Sequence, residues 1–199
     1  MNKIDYALIS QAIGYYEQQG FQYIEVPWVV DDHAVNLTLP TGHTAMRCMD
    51  GPLVGSAEQS FFYMAREGRL PAGRYVAASP CFRDDKVDAW HQRTFFKVEL
   101  IDLVEQDMGW PGCFGADAML EREMAEIALA FFQRFEPSAI IERVPGPNVS
   151  DRGHLDITLG GVELGSYGER ASLGWSWTYG TGLAEPRFSM ARNALIRQP

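Results

Sequence analysis

Two strand-like segments, 74–83 and 94–103, joined by the polar ten-residue stretch 84–93, constrain this chain more than any other feature. Together they predict an antiparallel hairpin with a long loop. In the second segment, alternation puts Phe96, Val98 and Leu100 on one face and Phe95, Lys97 and Glu99 on the other. The first set reads as core. The second gathers an aromatic ring and two charges on a common surface, which simple packing does not require.

The flanking sequence supplies the rest of a domain. Ile4, Leu8, Ala12 and Tyr16 recur every four residues and predict a helix over 3–19, with Asp5 in its first turn and Gly20 at its end. Segment 21–26 reads as a strand closed by Pro27. Segment 31–52 is rich in Asp, Thr, Gly and Pro without periodicity, predicting a long ordered loop or flap. Ala57, Phe61, Met64 and Ala65 share one face of a helix over 57–66. Leu120, Met124, Ile127, Phe131 and Phe135 do the same over 117–135, where Pro137 ends the pattern. After the turn-rich stretch 145–153, short strands are predicted at 154–159, 162–164 and 174–178, then Gly180-Thr181-Gly182 and a final helix from about Leu183. Neither repeats nor a low-complexity linker interrupt the chain, so residues 1–199 read as one domain. The flap and the 84–93 loop carry little apolar anchorage and are the expected mobile parts.

Composition narrows the function classes. With 26 acidic and 17 basic residues the formal charge is −9, which disfavours a protein built to hold nucleic-acid phosphates. Between positions 66 and 97, however, Arg66, Arg69, Arg74, Arg83, Lys86, Arg93 and Lys97 outnumber Glu67, Asp84, Asp85 and Asp88. A locally positive strip on a negative protein suggests a small anionic ligand. No apolar run approaches the roughly 20 residues needed to cross a bilayer. The first residues enter the amphipathic pattern directly, so no signal peptide is expected. Cys48, Cys81 and Cys113 form no disulfide framework or close metal-type pairing, and a reducing, cytoplasmic setting is expected.

Several stretches resemble, in order, the catalytic domain of class II aminoacyl-tRNA synthetases, most closely the seryl-type enzymes. Helix 3–19, strand 21–26 and Pro27 resemble the dimerisation motif 1. Ser79-Pro80-Cys81-Phe82-Arg83 with His91-Gln92-Arg93-Thr94-Phe95-Phe96-Lys97-Val98-Glu99 resembles motif 2, and Gly180-Thr181-Gly182-Leu183-Ala184-Glu185-Pro186-Arg187 resembles motif 3. Between them, Leu53-Val54-Gly55-Ser56-Ala57-Glu58 resembles the seryl substrate loop, and Val162-Glu163-Leu164-Gly165-Ser166 the strand with a metal-facing glutamate. The resemblance spans roughly residues 4 to 196. It implies an α+β fold, an antiparallel sheet of about six strands with helices against one face, and a two-fold dimer through the motif 1 region.

It also implies a reaction: attack of an amino-acid carboxylate on the α-phosphorus of ATP, releasing pyrophosphate, at a site of fixed cations and Mg²⁺-holding carboxylates. By resemblance Arg83 grips the α-phosphate, although a surface arginine paired with Asp84 or Asp85 is the bland reading of the same residue. Phe95 resembles the aromatic that stacks on adenine, and Arg187 the arginine that meets the γ-phosphate. Gly180 and Gly182 would let the backbone approach the ligand. Glu99 and Glu163 resemble the carboxylates facing ATP–Mg²⁺ and the amino acid, with Ser166 able to supply a hydroxyl. Glu58 would meet the substrate α-ammonium, and Thr181 its side chain. Ser56 stands where the family has threonine, and Asp85 where it has glutamate. His91 would contact phosphate or the acceptor end. His33, His43 and His154 read as ordinary surface or hydrogen-bonding residues. A pocket lined by Glu58, Glu99 and Thr181 favours a small or polar amino acid. Zinc, which a related branch uses, is disfavoured because no cysteine lies near motif 3.

The chain begins inside motif 1 and continues only about a dozen residues past motif 3, so neither a tRNA-binding arm nor an anticodon domain is expected. The expectation is therefore adenylate formation with transfer to an acceptor other than a full tRNA: a carrier-protein thiol, a small amine or a protein lysine. The competing reading is a catalytically silent paralogue that binds nucleotide or amino acid as a regulatory or partner subunit.

Overall fold

The computed structural model describes residues 3–40, 42–105, 119–146 and 153–196. Its helices are α1 (Tyr6–Gln18), α2 (Asp32–Asn36), α3 (Ala57–Arg66), α4 (Glu121–Gln133) and α5 (Arg187–Ile196). Its strands are β1 (Gln22–Tyr23), β2 (Arg47–Cys48), β3 (Gly51–Pro52), β4 (Gly73–Phe82), β5 (Thr94–Glu105), β6 (Ile140–Val144), β7 (His154–Leu159), β8 (Val162–Ser172) and β9 (Trp175–Glu185). Seven strands form one sheet in the order β1-β4-β5-β9-β8-β7-β6, while β2 and β3 make a separate small hairpin.

Two helices start on aspartate caps. The Asp5 carboxylate accepts from the Leu8 N–H (3.0 Å) to cap α1, and Asp31 accepts from Ala34 (2.9 Å) to cap α2. The predicted hairpin is β4–β5, in register from Gly73 opposite Leu103 to Phe82 opposite Thr94. Alternation then sorts two cores. On one face Val76, Val98, Leu100 and Leu183 pack with Tyr16 of α1, Met124 and Phe131 of α4 and Phe188 of α5. On the other, Tyr75, Ile101, Leu103 and Trp177 pack with Phe61 and Phe62 of α3. Each large side chain buried this way contributes on the order of 1.5–3 kcal/mol.

The sequence expectations need five corrections. The sheet has seven strands rather than about six, and β1 runs parallel to β4 while the remaining pairings are antiparallel. Helices cover both faces rather than one, because α2 and α3 sit over the β4–β5–β9 end of the second face. Segment 31–52 holds α2 and the β2–β3 hairpin, elements too short to carry a periodic signal. Strand β6 escaped notice, and the strand expected over 21–26 pairs only at Gln22 and Tyr23. Most consequentially, β8 and β9 run 11 residues each straight through glycines that read as loop, so the last helix starts at Arg187 instead of about Leu183. Cys113, much of the 145–153 stretch and the first two residues of the helix expected over 117–135 lie outside the described residues.

The glycines have a packing reason. A Cβ on Gly180 would lie 2.4 Å from Tyr167 Cδ1 and 2.8 Å from Met124 Sδ. One on Gly182 would lie 2.5 Å from Tyr16 Cε2. Both vacancies face the side covered by α1, α4 and α5, where aromatic rings press onto the backbone of β9.

Candidate active site

Where α2 and α3 end, the second sheet face opens into a cavity of about 280 Å³. Its floor is the surface that alternation singled out: Phe95, Lys97 and Glu99 on β5, continued by Tyr179 and Thr181 on β9 and Ser166 and Arg170 on β8. Ser56, Glu58, Arg83, Glu163 and Arg187 complete the wall. Distant stretches of chain thus converge on one chamber.

Arg83 follows β4, and its backbone N–H donates to the Arg93 carbonyl (2.9 Å), closing the base of the 84–93 loop. Its Nε donates to the Gly55 carbonyl (3.0 Å), and its guanidinium carbon stands 5.2 Å from the Phe95 ring centroid. One bond and one cation–π contact therefore aim the rest of the fork. The bland ion pair does not form: Asp84 lies 3.6 Å from Arg93, and Asp85 3.3 Å from His43. Arg187, the first residue of α5, reaches across with Nη1 3.3 Å from Glu163 Oε1 and 3.4 Å from the Glu163 carbonyl. Two guanidinium groups lining one cavity make a holder for a polyanion. A recess beside it is shared by Arg83, Asp85, His91, Phe95 and Arg187, so the motif 2 loop residues are brought to the same end. There His91 Nδ1 sits 2.8 Å from Asp88, a carboxylate the sequence reading gave no role.

The other two glutamates are already committed. Glu99, buried, accepts from Ser56 Oγ (2.6 Å), the Ala57 backbone N–H and Lys97 Nζ. Burial opposes its charge, yet Lys97 and these hydrogen bonds outweigh it and hold the carboxyl below the usual glutamate range. Glu99 and Ser56, expected to bind the amino acid, both line the cavity while bonded to each other. Together they fix the start of α3, whose cap is Ser56. Glu58 is likewise held, by Arg170 Nη1 at 2.6 and 2.5 Å and by Trp177 Nε1 at 2.7 Å. Thr181 is on the floor, its carbonyl accepting from the Tyr167 hydroxyl (2.5 Å). Gly182, expected to let the backbone approach the nucleotide, also serves packing. Its side-chain vacancy admits Tyr16 on the far side of the sheet, and its carbonyl accepts from the Tyr16 hydroxyl (2.8 Å).

Glu163 and Ser166 meet a residue the sequence reading passed over. Asp156 on β7 pairs with Ser166 across the sheet, and its buried Oδ1 has no hydrogen-bond partner among the described residues. The His154 ring approaches it, with Nε2 3.4 Å away. Burial, then the like charge of Glu163, push the Asp156 carboxyl above the usual range, while Ser166 and His154 oppose the shift. Two carboxylates and a hydroxyl form an all-oxygen set suited to a hard cation that also takes phosphate oxygens. No group of three or more His, Cys, Asp or Glu arranged to hold a metal occurs among the described residues. A raised aspartate pKa means the folded protein loses stability as pH climbs past the ordinary aspartate value of 3.8. Asp156→Asn is therefore expected to raise the melting temperature at neutral pH and leave it unchanged well below that value. Equal melting of the two proteins at both pH values would refute the raised pKa.

Signals for the missed residues existed. Once β8 extends past Gly168, Ser166 and Arg170 fall on one face, and the register shift between Ile157 and Thr158 brings Glu163 to that side.

The fold is that of the class II aminoacyl-tRNA synthetase catalytic domain. Among solved structures, the chain is similar to PylSc of Desulfitobacterium hafniense, a pyrrolysyl-tRNA synthetase, with 15% identity, a TM-score of 0.67 and coverage of 96% of this chain and 70% of that one. It is also similar to the seryl-tRNA synthetase of Pyrococcus horikoshii complexed with ATP (17% identity, TM-score 0.70, 94% and 49% coverage). A third is the cytoplasmic serine-tRNA ligase of Naegleria fowleri in complex with AMP (16% identity, TM-score 0.62, 93% and 46%). The chain spans about half the length of the two seryl enzymes. No protein-family model and no curated protein sequence matches it. No helix among the described residues is long and apolar enough to cross a membrane.

Proposed function

We propose that this chain activates an amino acid on ATP, forming an aminoacyl-adenylate and pyrophosphate, and passes the acyl group to an acceptor other than a full tRNA. The observation that carries the reading is the convergence of Arg83 and Arg187 on one cavity, with Phe95 beside the first. Solved neighbours of the same fold hold ATP or AMP.

In this reading the adenine lies against Phe95, the Arg83 fork grips the α-phosphate, and Arg187 meets the far end of the triphosphate. The amino-acid carboxylate attacks the α-phosphorus. The bond to the bridging oxygen breaks, and pyrophosphate leaves with its electron pair. No proton transfer is needed, so the protein's work is alignment and charge stabilisation. Asp156, Glu163 and Ser166 would hold Mg²⁺, which supplies further neutralisation of the phosphate charge. Displacing the Arg187–Glu163 contact frees both side chains for nucleotide and metal respectively. The acceptor, a carrier-protein thiol, a small amine or a protein lysine, then displaces AMP from the adenylate.

Isotope exchange between pyrophosphate and ATP across a panel of amino acids tests this. Amino-acid-dependent exchange is expected. ATP binding without exchange for any amino acid would instead select the silent regulatory subunit. A dimer through α1 and the β1 segment, where Tyr6 and Trp28 are exposed aromatics, belongs to the same proposal. Light scattering that finds only monomer at micromolar concentration would remove it.

A further inference from the structure

The charges at the amino-acid end of the cavity are unequally satisfied. Lys97 and Glu99 are closed on each other, their side chains only 12% and 6% exposed. Glu58 accepts from Arg170 and Trp177 at Oε1 but from Arg170 alone at Oε2, and it lines the cavity. Arg170 is different. It donates to Glu58 through Nη1 alone, and Nε and Nη2 have no hydrogen-bond partner among the described residues. Its side chain is 36% exposed, and it lines the cavity.

The guanidinium is also built in rather than draped over a surface. Its carbon stands 4.2 Å from the Tyr179 ring centroid. Tyr179 lies opposite Gly168 in the β8–β9 register, where a Cβ would come within 2.6 Å of the Tyr179 hydroxyl. Glycine at 168 thus seats the tyrosine, the tyrosine carries one face of the guanidinium, and Glu58 fixes one edge. What remains for a ligand is the other edge of a positioned, half-buried cation with parallel N–H donors, the geometry that carboxylates fit.

We infer that Arg170 is the specificity residue of this site and that the amino acid activated is acidic, its side-chain carboxylate received by the free Nε–Nη2 edge. The inference rests on the amino-acid-activating reading above. Glu58 and Arg170 present a negative and a positive pole side by side. An amino acid with an α-ammonium and a side-chain carboxylate a few ångströms apart is the complementary pair, its ammonium toward Glu58 and its carboxylate toward Arg170. Its α-carboxylate is then left for the phosphate end. A neutral side chain would leave the guanidinium edge desolvated and unpaired, and a cationic one would be repelled.

The test uses aspartate, glutamate, asparagine, glutamine, serine and lysine in two assays: pyrophosphate exchange, and calorimetric binding with a non-hydrolysable ATP analogue present. One acidic amino acid is expected to exceed its amide isostere by roughly 10- to 100-fold in both. Arg170→Gln should collapse that ratio to about threefold or less, and Arg170→Lys should retain part of it, since a point charge remains without the fork. The wild-type ratio is informative even if a variant misfolds. Exchange led by serine, an amide or lysine overturns the inference while leaving the activating reading intact. Selective binding of an acidic amino acid without exchange does the opposite. Neither binding nor exchange for any acidic amino acid overturns the inference outright.

Discussion

Replacing Arg83 or Arg187 with alanine is expected to lower pyrophosphate exchange by about 10²- to 10³-fold each, because each removes a fixed cation from the charge that develops on the phosphates. The fold should survive. Arg83 spends one bond on the Gly55 carbonyl and one face on Phe95, and among the described residues Arg187 hydrogen-bonds to Glu163 alone, at 3.3–3.4 Å. Lysine should rescue Arg187 better than Arg83, since a phosphate at the open end needs charge whereas the Arg83 position also needs the planar fork. Exchange within threefold of wild type in both alanine proteins would show that the shared cavity is not where the triphosphate is held.

The second large effect concerns stability. Gly182→Ala would place a Cβ 2.5 Å from Cε2 and 2.9 Å from Cζ of Tyr16. That ring cannot retreat: it is fully buried, in edge contact with Tyr15 and Phe21 and tilted on Phe131, and its hydroxyl is bonded to the Gly182 carbonyl. Overpacking of this kind costs about 1–3 kcal/mol, which for a chain of this size lowers Tm by roughly 2–12 °C. The resemblance to motif 3 gives another role to this glycine, close approach of backbone to ligand. The two separate in one experiment. An alanine protein that melts with wild type but loses exchange would place the reason for glycine on the ligand side of the sheet.

Much of the architecture could be read from the chain because its signals are local. Phe95, Lys97 and Glu99 share a face by alternation alone, and Arg83 lies just beyond the same hairpin, so half the candidate site was visible before any tertiary contact. The other half depends on β8 and β9. Gly165, Gly168, Gly180 and Gly182 punctuate those strands and look like turns, yet three of them, Gly168, Gly180 and Gly182, admit the rings of Tyr179, Tyr167 and Tyr16 respectively. Reading them as turns cut β8 short at 164 and hid Arg170. The contact that gives Arg170 its meaning joins residues 112 positions apart, and no periodicity reports such a pair. Asp156 was missed for a related reason: a single acid in a short strand looks solvated until its neighbour Glu163 arrives from the next strand. Ser56 and Glu99 were identified as site residues, but their bonds to each other and to the first N–H of α3 belong to the helix start, which residue types alone do not reveal.

The buried carboxylate of Glu185 ties two otherwise separate parts together. It accepts from the Asp5 backbone N–H (3.3 Å) just ahead of α1, and from the Ser189 N–H (3.1 Å) and hydroxyl in the first turn of α5. One side chain therefore ties the start of α1 to the first turn of α5, which carries Arg187. A displacement at the start of α1 would reach the Arg187 end of the cavity through a single carboxylate.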